Sequence, residues 1–155
     1  MSKSIPSSEL KLCENNAIDG VAGHYYHRYK DLEIPCVFKL ELPKELSVSE
    51  IDICLVLSNL LENALEASMR TAPDKRRITV FARMHSDNVV LIKVENFYNG
   101  VIKEKNGIFE SSKHSGEGIG TQSVRRIAEK GGGYCRFTQK DSIFTADVML
   151  RGKSK

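Results

Sequence analysis

At 155 residues, with 41% hydrophobic and 28% charged side chains, the chain has the size and make-up of one soluble globular domain with a single core. A formal charge of +3, with no dense basic run or aromatic-basic alternation beyond the short tail Arg151-Gly152-Lys153, argues against a nucleic-acid partner. No stretch approaches the roughly eighteen apolar residues that cross a bilayer, and Met1 to Leu12 has no apolar signal core, so the chain itself is expected not to span a membrane.

Residues 1–14 precede the first periodic segment. A helix is expected from about Asn15 to Leu32, with Ile18, Val21, Ala22, Tyr25, Tyr29 and Leu32 on its core face. Pro35 ends that segment, Val37 to Leu42 alternates as a half-buried strand does, and Pro43 closes it. Ser47-Val48-Ser49-Glu50 has capping-box spacing, which places the start of a second helix there and its end near Met69. After a turn at Pro73-Asp74, Arg77 to Met84 and Val89 to Glu95 read as a hairpin joined through Ser86-Asp87-Asn88.

From Phe97 to Glu117 periodicity disappears. A run of about twenty residues rich in Gly, Asn, Ser and Lys is long for a plain connection inside a compact domain, which favours a functional lid. A third helix follows with Val124, Ile127 and Ala128 on its buried face and Arg125 and Arg126 in solvent, and Gly131-Gly132-Gly133 stops it. Tyr134 to Thr138 and Ile143 to Leu150 form a last hairpin about Lys140-Asp141. About five strands and three helices result. The expected class is α+β: a two-layer sandwich in which one mixed, mostly antiparallel sheet is covered by helices on one face. Cys13, Cys36, Cys54 and Cys135 show no close pairing or metal-like spacing, so reduced thiols in a cytoplasmic setting are expected.

Two segments carry chemistry. In Leu57-Ser58-Asn59-Leu60-Leu61-Glu62-Asn63-Ala64-Leu65-Glu66-Ala67 a turn of about 100° per residue puts Asn59, Glu62, Asn63 and Glu66 in one stripe, joined by Asp52, while leucines and alanines cover the rest. A solvated face alternates Lys with Glu, because asparagine is a poor helix former and like charges one turn apart repel. This stripe contains no Lys or Arg. Amide and carboxylate oxygens gathered in that way suit a hard cation such as magnesium, which usually brings phosphate with it. The second segment is His114-Ser115-Gly116-Glu117-Gly118-Ile119-Gly120-Thr121-Gln122-Ser123-Val124. Its alternate glycines, placed ahead of a helix starting near Gly120, are expected to form a nest whose N–H groups approach phosphate.

Together the segments resemble the ATP-binding fold shared by gyrase, the Hsp90 chaperones, histidine kinases and MutL. Asn59 to Ala67 looks like that superfamily's N box, whose second asparagine, here Asn63, coordinates the magnesium bound to the nucleotide phosphates. Gly116 to Val124 looks like its G2 box, the end of the ATP lid and the start of the next helix, which implies phosphate contacts from Gly116, Gly118, Ile119, Gly120 and Thr121. Ser111-Ser112-Lys113 resembles a segment before that box, and Lys113 would neutralise the γ-phosphate. Leu12 to Ala67 and Gly118 to Gly133 are similar to the catalytic domain of sensor kinases of the peptide quorum-sensing type, whose N box ends Glu-Asn-Ala-x-Glu-Ala as here.

Two departures bear on the reaction. Where many members carry an aspartate that accepts a hydrogen bond from the adenine amino group, this chain reads Asn96-Phe97-Tyr98-Asn99-Gly100. The Asn96 amide oxygen still accepts, but a neutral bond is weaker than a charge-assisted one. Relatives that hydrolyse ATP or phosphorylate serine carry a glutamate base four residues before the metal-binding asparagine, where this chain has Asn59. An amide takes no proton, whereas a neutral imidazole acceptor needs none removed, so the resemblance implies phosphoryl transfer to histidine.

His24, His27, His85 and His114 lack the acidic neighbour of the family's acceptor site. The resemblance therefore implies an isolated domain that binds ATP and Mg2+ and phosphorylates a histidine on a separate dimerisation domain, with a response regulator downstream. It further implies a linker over 1–14, the ATP-binding domain over 15–151 with a lid over 97–117, and a tail over 152–155, in the cytoplasmic part of a membrane-anchored kinase. A free-standing anti-sigma-factor serine kinase, or a nonenzymatic nucleotide-sensing or docking module, are the alternatives.

Overall fold

The computed structural model describes residues 11–98, 104–105, 108–109 and 115–152. Helix α1 (Asn16–Asp31) is capped by Asn15, whose side chain accepts from the Ile18 N–H at 3.0 Å and donates to Lys44 O and Glu50 Oε2. Those bonds let a polar residue sit 1% exposed, because each end of the amide has a partner. Ile18, Ala22, Tyr25 and Tyr29 form the buried face. Leu32, expected on that face, is instead 39% exposed. The helix ends before it: Glu33 adopts φ 57°, and the Glu33 and Ile34 N–H groups bond to Lys30 O and Tyr29 O. This Schellman closure turns Ile34 into the core in place of Leu32.

Strand β1 (Cys36–Glu41) leads to helix α2 (Glu50–Met69). The cap of α2 is Ser49, whose hydroxyl accepts from the Asp52 N–H, and not the Ser47 that the capping-box spacing suggests. Ser47 instead donates to Asp87 O across the fold, and Glu50 is held by Asn15. On α2, Ile53, Val56, Leu57, Leu60, Leu61, Ala64, Leu65 and Ser68 are all buried. After a single 3-10 turn at Pro73–Lys75, β2 (Ile78–Ser86) and β3 (Val89–Phe97) make the expected hairpin. β3 runs past Glu95, so Asn96 belongs to the strand.

Within the stretch read as irregular, the short strands β4 (Glu104–Lys105) and β5 (Ile108–Phe109) pair antiparallel, a ladder that two residues a side are too few to betray in sequence. Helix α3 (Ser115–Lys130) starts about five residues before the expected position. It closes with the same motif as α1: Gly132, at φ 88°, donates to Glu129 O, and Gly133 donates to Ala128 O. β6 (Tyr134–Lys140) and β7 (Ile143–Arg151) finish the chain. Their turn residues are Asp141 and Ser142, both at positive φ, as a two-residue turn of the I′ kind demands.

The main sheet has order β1-β2-β3-β7-β6, with β1 parallel to β2 and every other pair antiparallel. Its inner rows read Val80, Val94, Ala146, Phe137 and Ala82, Ile92, Val148, Cys135. Against them lie the three helices, α1 on β1, α2 on β3 and α3 on β6 and β7. The other face carries Lys39, Arg83, Lys93 and Asp147. The expected two-layer α+β sandwich, one mixed sheet with helices on one side, is the architecture observed. Among the described residues, no helix is long and apolar enough to cross a membrane.

A Cβ on Gly133 would overlap the carbonyl of Met149 in the neighbouring strand. Gly133→Ala is therefore expected to lower unfolding stability by about 1–3 kcal/mol through overpacking against backbone, read as a shift in urea midpoint. An unchanged midpoint would show that the α3–β6 junction yields.

Candidate functional site

Helix α2 turns its buried apolar side chains toward the sheet, α1 and α3, and the polar stripe is what that leaves uncovered. Asp52, Asn59, Glu62, Asn63 and Glu66 are all half-buried, as side chains at the edge of a groove are. One flank of the stripe faces α3. There, a Cβ built on Gly120 would stand 3.7 Å from Asn63 Oδ1 and 3.8 Å from Asn59 Oδ1. The glycine segment and the asparagine pair, more than fifty residues apart in sequence, therefore meet. Both amide oxygens lie toward a backbone position that presents no side chain.

The meeting has a different local form from the one expected. Gly116, Gly118, Ile119, Gly120 and Thr121 lie inside α3, which begins at Ser115, and not in a loop ahead of it. Gly120 has ordinary helical backbone, and its use here is closeness to α2, not a positive φ. What this end of the helix offers an anion is its unsatisfied N–H groups and positive dipole end. Val124 and Ala128, both 0% exposed, seat α3 against α2 one and two turns further on. Lys113 lies outside the described residues, as do Asn99 and Gly100.

Asn96 sits on the inner side of β3, paired across to Ile78 and Phe144 and 4% exposed. Its amide nitrogen donates to Phe97 O at 3.4 Å, which identifies Oδ1 as its accepting end. Thr71, just past α2, donates to Ala67 O and to the same Phe97 O, tying the end of α2 to the end of β3.

The other flank of the stripe is not free of cations, as the reading of α2 alone proposes. Arg28 of α1 reaches across to Glu62, with Nη1 to Oε1 at 3.1 Å, and Tyr25 donates its hydroxyl to the same oxygen at 2.9 Å. The Arg28 guanidinium also lies 5.7 Å from the Tyr25 ring centre. One oxygen of Glu62 is thereby engaged by α1, while the amide oxygens of Asn59 and Asn63 face α3. Sequence reading missed Arg28. The pairing joins residues 34 positions apart on two helices, which no spacing within α2 signals. Arg125 is exposed, as expected, and also donates to Cys135 O and lies over Phe137. Among the described residues, no group of three or more His, Cys, Asp or Glu side chains gathers to hold a metal ion. The four cysteines are unpaired, and burial pushes each thiol up, Cys135 to about 11.

Burial, followed by the hydrogen bond to Glu62, pushes the Tyr25 phenol from 10.0 up to about 12. The folded state thus holds this proton more tightly, so the contribution is complete below pH 10 and is lost as pH rises towards 12. Between pH 9 and 11, Tyr25→Phe is expected to lose about 1 kcal/mol less stability than the parent chain, measured by urea unfolding at both pH values. Equal losses would mean that the phenol titrates normally.

A family model described as a GHKL domain matches residues 48–151, a span that takes in α2, both hairpins and α3. The sensor histidine kinase HprS of Escherichia coli (strain K12) is 28% identical over 135 residues, 81% of this chain. The chain spans 29% of that kinase's length. Among solved structures, the nucleotide-free catalytic domain of histidine kinase ThkA superposes with a TM-score of 0.66 at 18% identity, covering 88% of this chain and 90% of that one. The mycobacterial sensor histidine kinase MprB gives 0.59 at 17%, covering 90% and 95%. ThkA bound to the response regulator protein TrrA gives 0.61 at 17%, covering 90% of this chain and 41% of that one. At such identities the structural likeness is one of fold.

Proposed function

This chain belongs to the GHKL domain family, and we propose that it is the ATP-binding catalytic domain of a two-component sensor histidine kinase. The observation that carries the reading is the Gly120 backbone set against the paired amide oxygens of Asn59 and Asn63. A side chain at 120 would fill that space, and its absence leaves room for a ligand between α2 and the start of α3. The likeness to HprS, and to the catalytic domain of ThkA, supports the same class.

In this reading Asn63 gives its amide oxygen to Mg2+, and Asn96 accepts from the adenine amino group. Asn59 lines the phosphate side without acting as a base. The first turns of α3, through Gly116, Gly118, Ile119, Gly120 and Thr121, receive the phosphates on N–H groups and the positive helix end, and Lys113 adds a cation. Bound magnesium would supply charge neutralisation on the β- and γ-phosphates. This chain's residues orient the triphosphate and exclude water. None is needed to remove a proton, because the acceptor is a neutral imidazole nitrogen on a dimerisation domain of the same kinase, which takes the γ-phosphoryl group as ADP leaves. The ATP-binding unit is residues 15–151, with a lid over 97–117, a linker before it and a tail after it. A response regulator receives the phosphoryl group afterwards; ThkA has been solved with such a partner. The setting is the cytoplasmic side of a membrane-anchored kinase. An amide at Asn59 disfavours the serine-kinase alternative, which needs a carboxylate there.

Calorimetric titration with a nonhydrolysable ATP analogue tests this reading. Binding strengthened by magnesium is expected, and Asn63→Ala should remove the magnesium dependence while leaving the thermal midpoint in place. Metal-independent binding in the parent chain would take Asn63 out of the metal site. Gly120→Ala separates fold from ligand: its Cβ makes ordinary contacts at 3.7 and 3.8 Å, so the unliganded domain should gain about 0.5–1 kcal/mol from helix propensity. The same variant should bind the analogue more weakly. Unchanged affinity would place the ligand elsewhere.

A further inference from the structure

The stripe that holds Asn59 and Asn63 also holds Asp52, Glu62 and Glu66. Magnesium leaves a triphosphate with a net negative charge of about two, so a face bearing three carboxylates repels the ligand that its amides would bind. Glu62 is the carboxylate adjoining Asn63 in sequence and lies one turn from Asn59, so its charge matters most. The basic group bonded to Glu62 comes from α1: Arg28 Nη1 meets Glu62 Oε1 at 3.1 Å, and the Tyr25 hydroxyl shares that oxygen at 2.9 Å. The two charged side chains are 42% and 38% exposed. A pair that open to water adds little to the stability of the fold, and its effect is felt chiefly as a field beside the groove.

We infer that Arg28 is a positioning residue for nucleotide, cancelling the Glu62 charge so that the Asn59–Asn63 face accepts a metal-bound polyphosphate. This rests on the nucleotide reading given above. Arg28 acts through Glu62 and need not touch the ligand. The two residues form a charge balance, and its sign predicts the behaviour of each variant. Removing the cation alone leaves an anion beside the phosphates. Removing the anion alone leaves a free cation there, and removing both restores neutrality.

Titration of the folded proteins at low ionic strength with a nonhydrolysable ATP analogue and magnesium decides the matter. Relative to the parent chain, Arg28→Ala should bind roughly five- to tenfold more weakly and Glu62→Gln more tightly. The double variant should return to within about twofold of the parent, and Arg28→Lys should stay close to it. Raising the salt to molar concentrations should shrink the differences, as screening requires. The inference is overturned by unchanged affinity in Arg28→Ala, by weaker binding in Glu62→Gln, or by a double variant as weak as Arg28→Ala. That last result would mean that Arg28 works by direct contact or through the fold. A parent chain that binds no analogue would overturn the nucleotide reading itself. Normal parental binding with an inert Arg28→Ala would overturn this inference alone.

Discussion

Everything at the site depends on the rotational setting of α2. Eight of its side chains are buried, and each large apolar one contributes roughly 1.5–3 kcal/mol when removed from water. A turn of α2 about its own axis large enough to hide Asn59 and Asn63 would expose several of those residues at once. The polar stripe is consequently held at the surface by what lies opposite to it. Tyr29 locks the register on one side by donating to Leu61 O at 2.7 Å from a fully buried ring. That hydroxyl bonds a carbonyl inside α2, which has a second lone pair to accept it, and so ties α1 to one level of α2.

The two flanking helices then divide the stripe between them. α3 comes close because position 120 has no side chain, and its buried Val124 and Ala128 hold it there. α1 reaches the stripe with long side chains, Tyr25 and Arg28. The result is an asymmetric groove, the amide oxygens of Asn59 and Asn63 beside the N-terminal end of α3 on one flank and a carboxylate paired with Arg28 on the other. A polyanion is favoured on the α3 flank, by dipole and by open backbone N–H groups, while Arg28 keeps the α1 flank from opposing it. Asn96 lies at the end of the inner row of β3, buried beside the end of α2.

Much of this was legible from residues alone. Period 3.6 with a polar stripe, period 2 in the paired strands, and glycines at the end of α3 placed the main elements within a few residues, because local chemistry fixes them. The N-box and G2-box resemblances named the fold, and the two segments that carry them come together in space. The errors fell where neighbours override local preference. Ser47 has the capping spacing but is drawn away to Asp87, and Ser49 caps instead. Leu32 follows the apolar period, yet Ile34 takes its place in the core after the turn at Glu33. The glycines of α3 read as a nest because glycine disfavours helix, whereas at Gly120 the structure shows helical backbone lying close to α2.

The amino-acid pattern alone thus set the class of the domain, the amphipathic character of α2 and the two segments proposed to bind nucleotide, since each depends on spacing within one element. It left open what surrounds those segments. That Gly120 lies against Asn59 and Asn63, and that Glu62 is neutralised by Arg28 from a helix more than thirty residues earlier, are matters of which helices share a groove. Such contacts arise from the packing of whole elements on a sheet, where side chains distant in sequence meet by geometry that no local periodicity encodes.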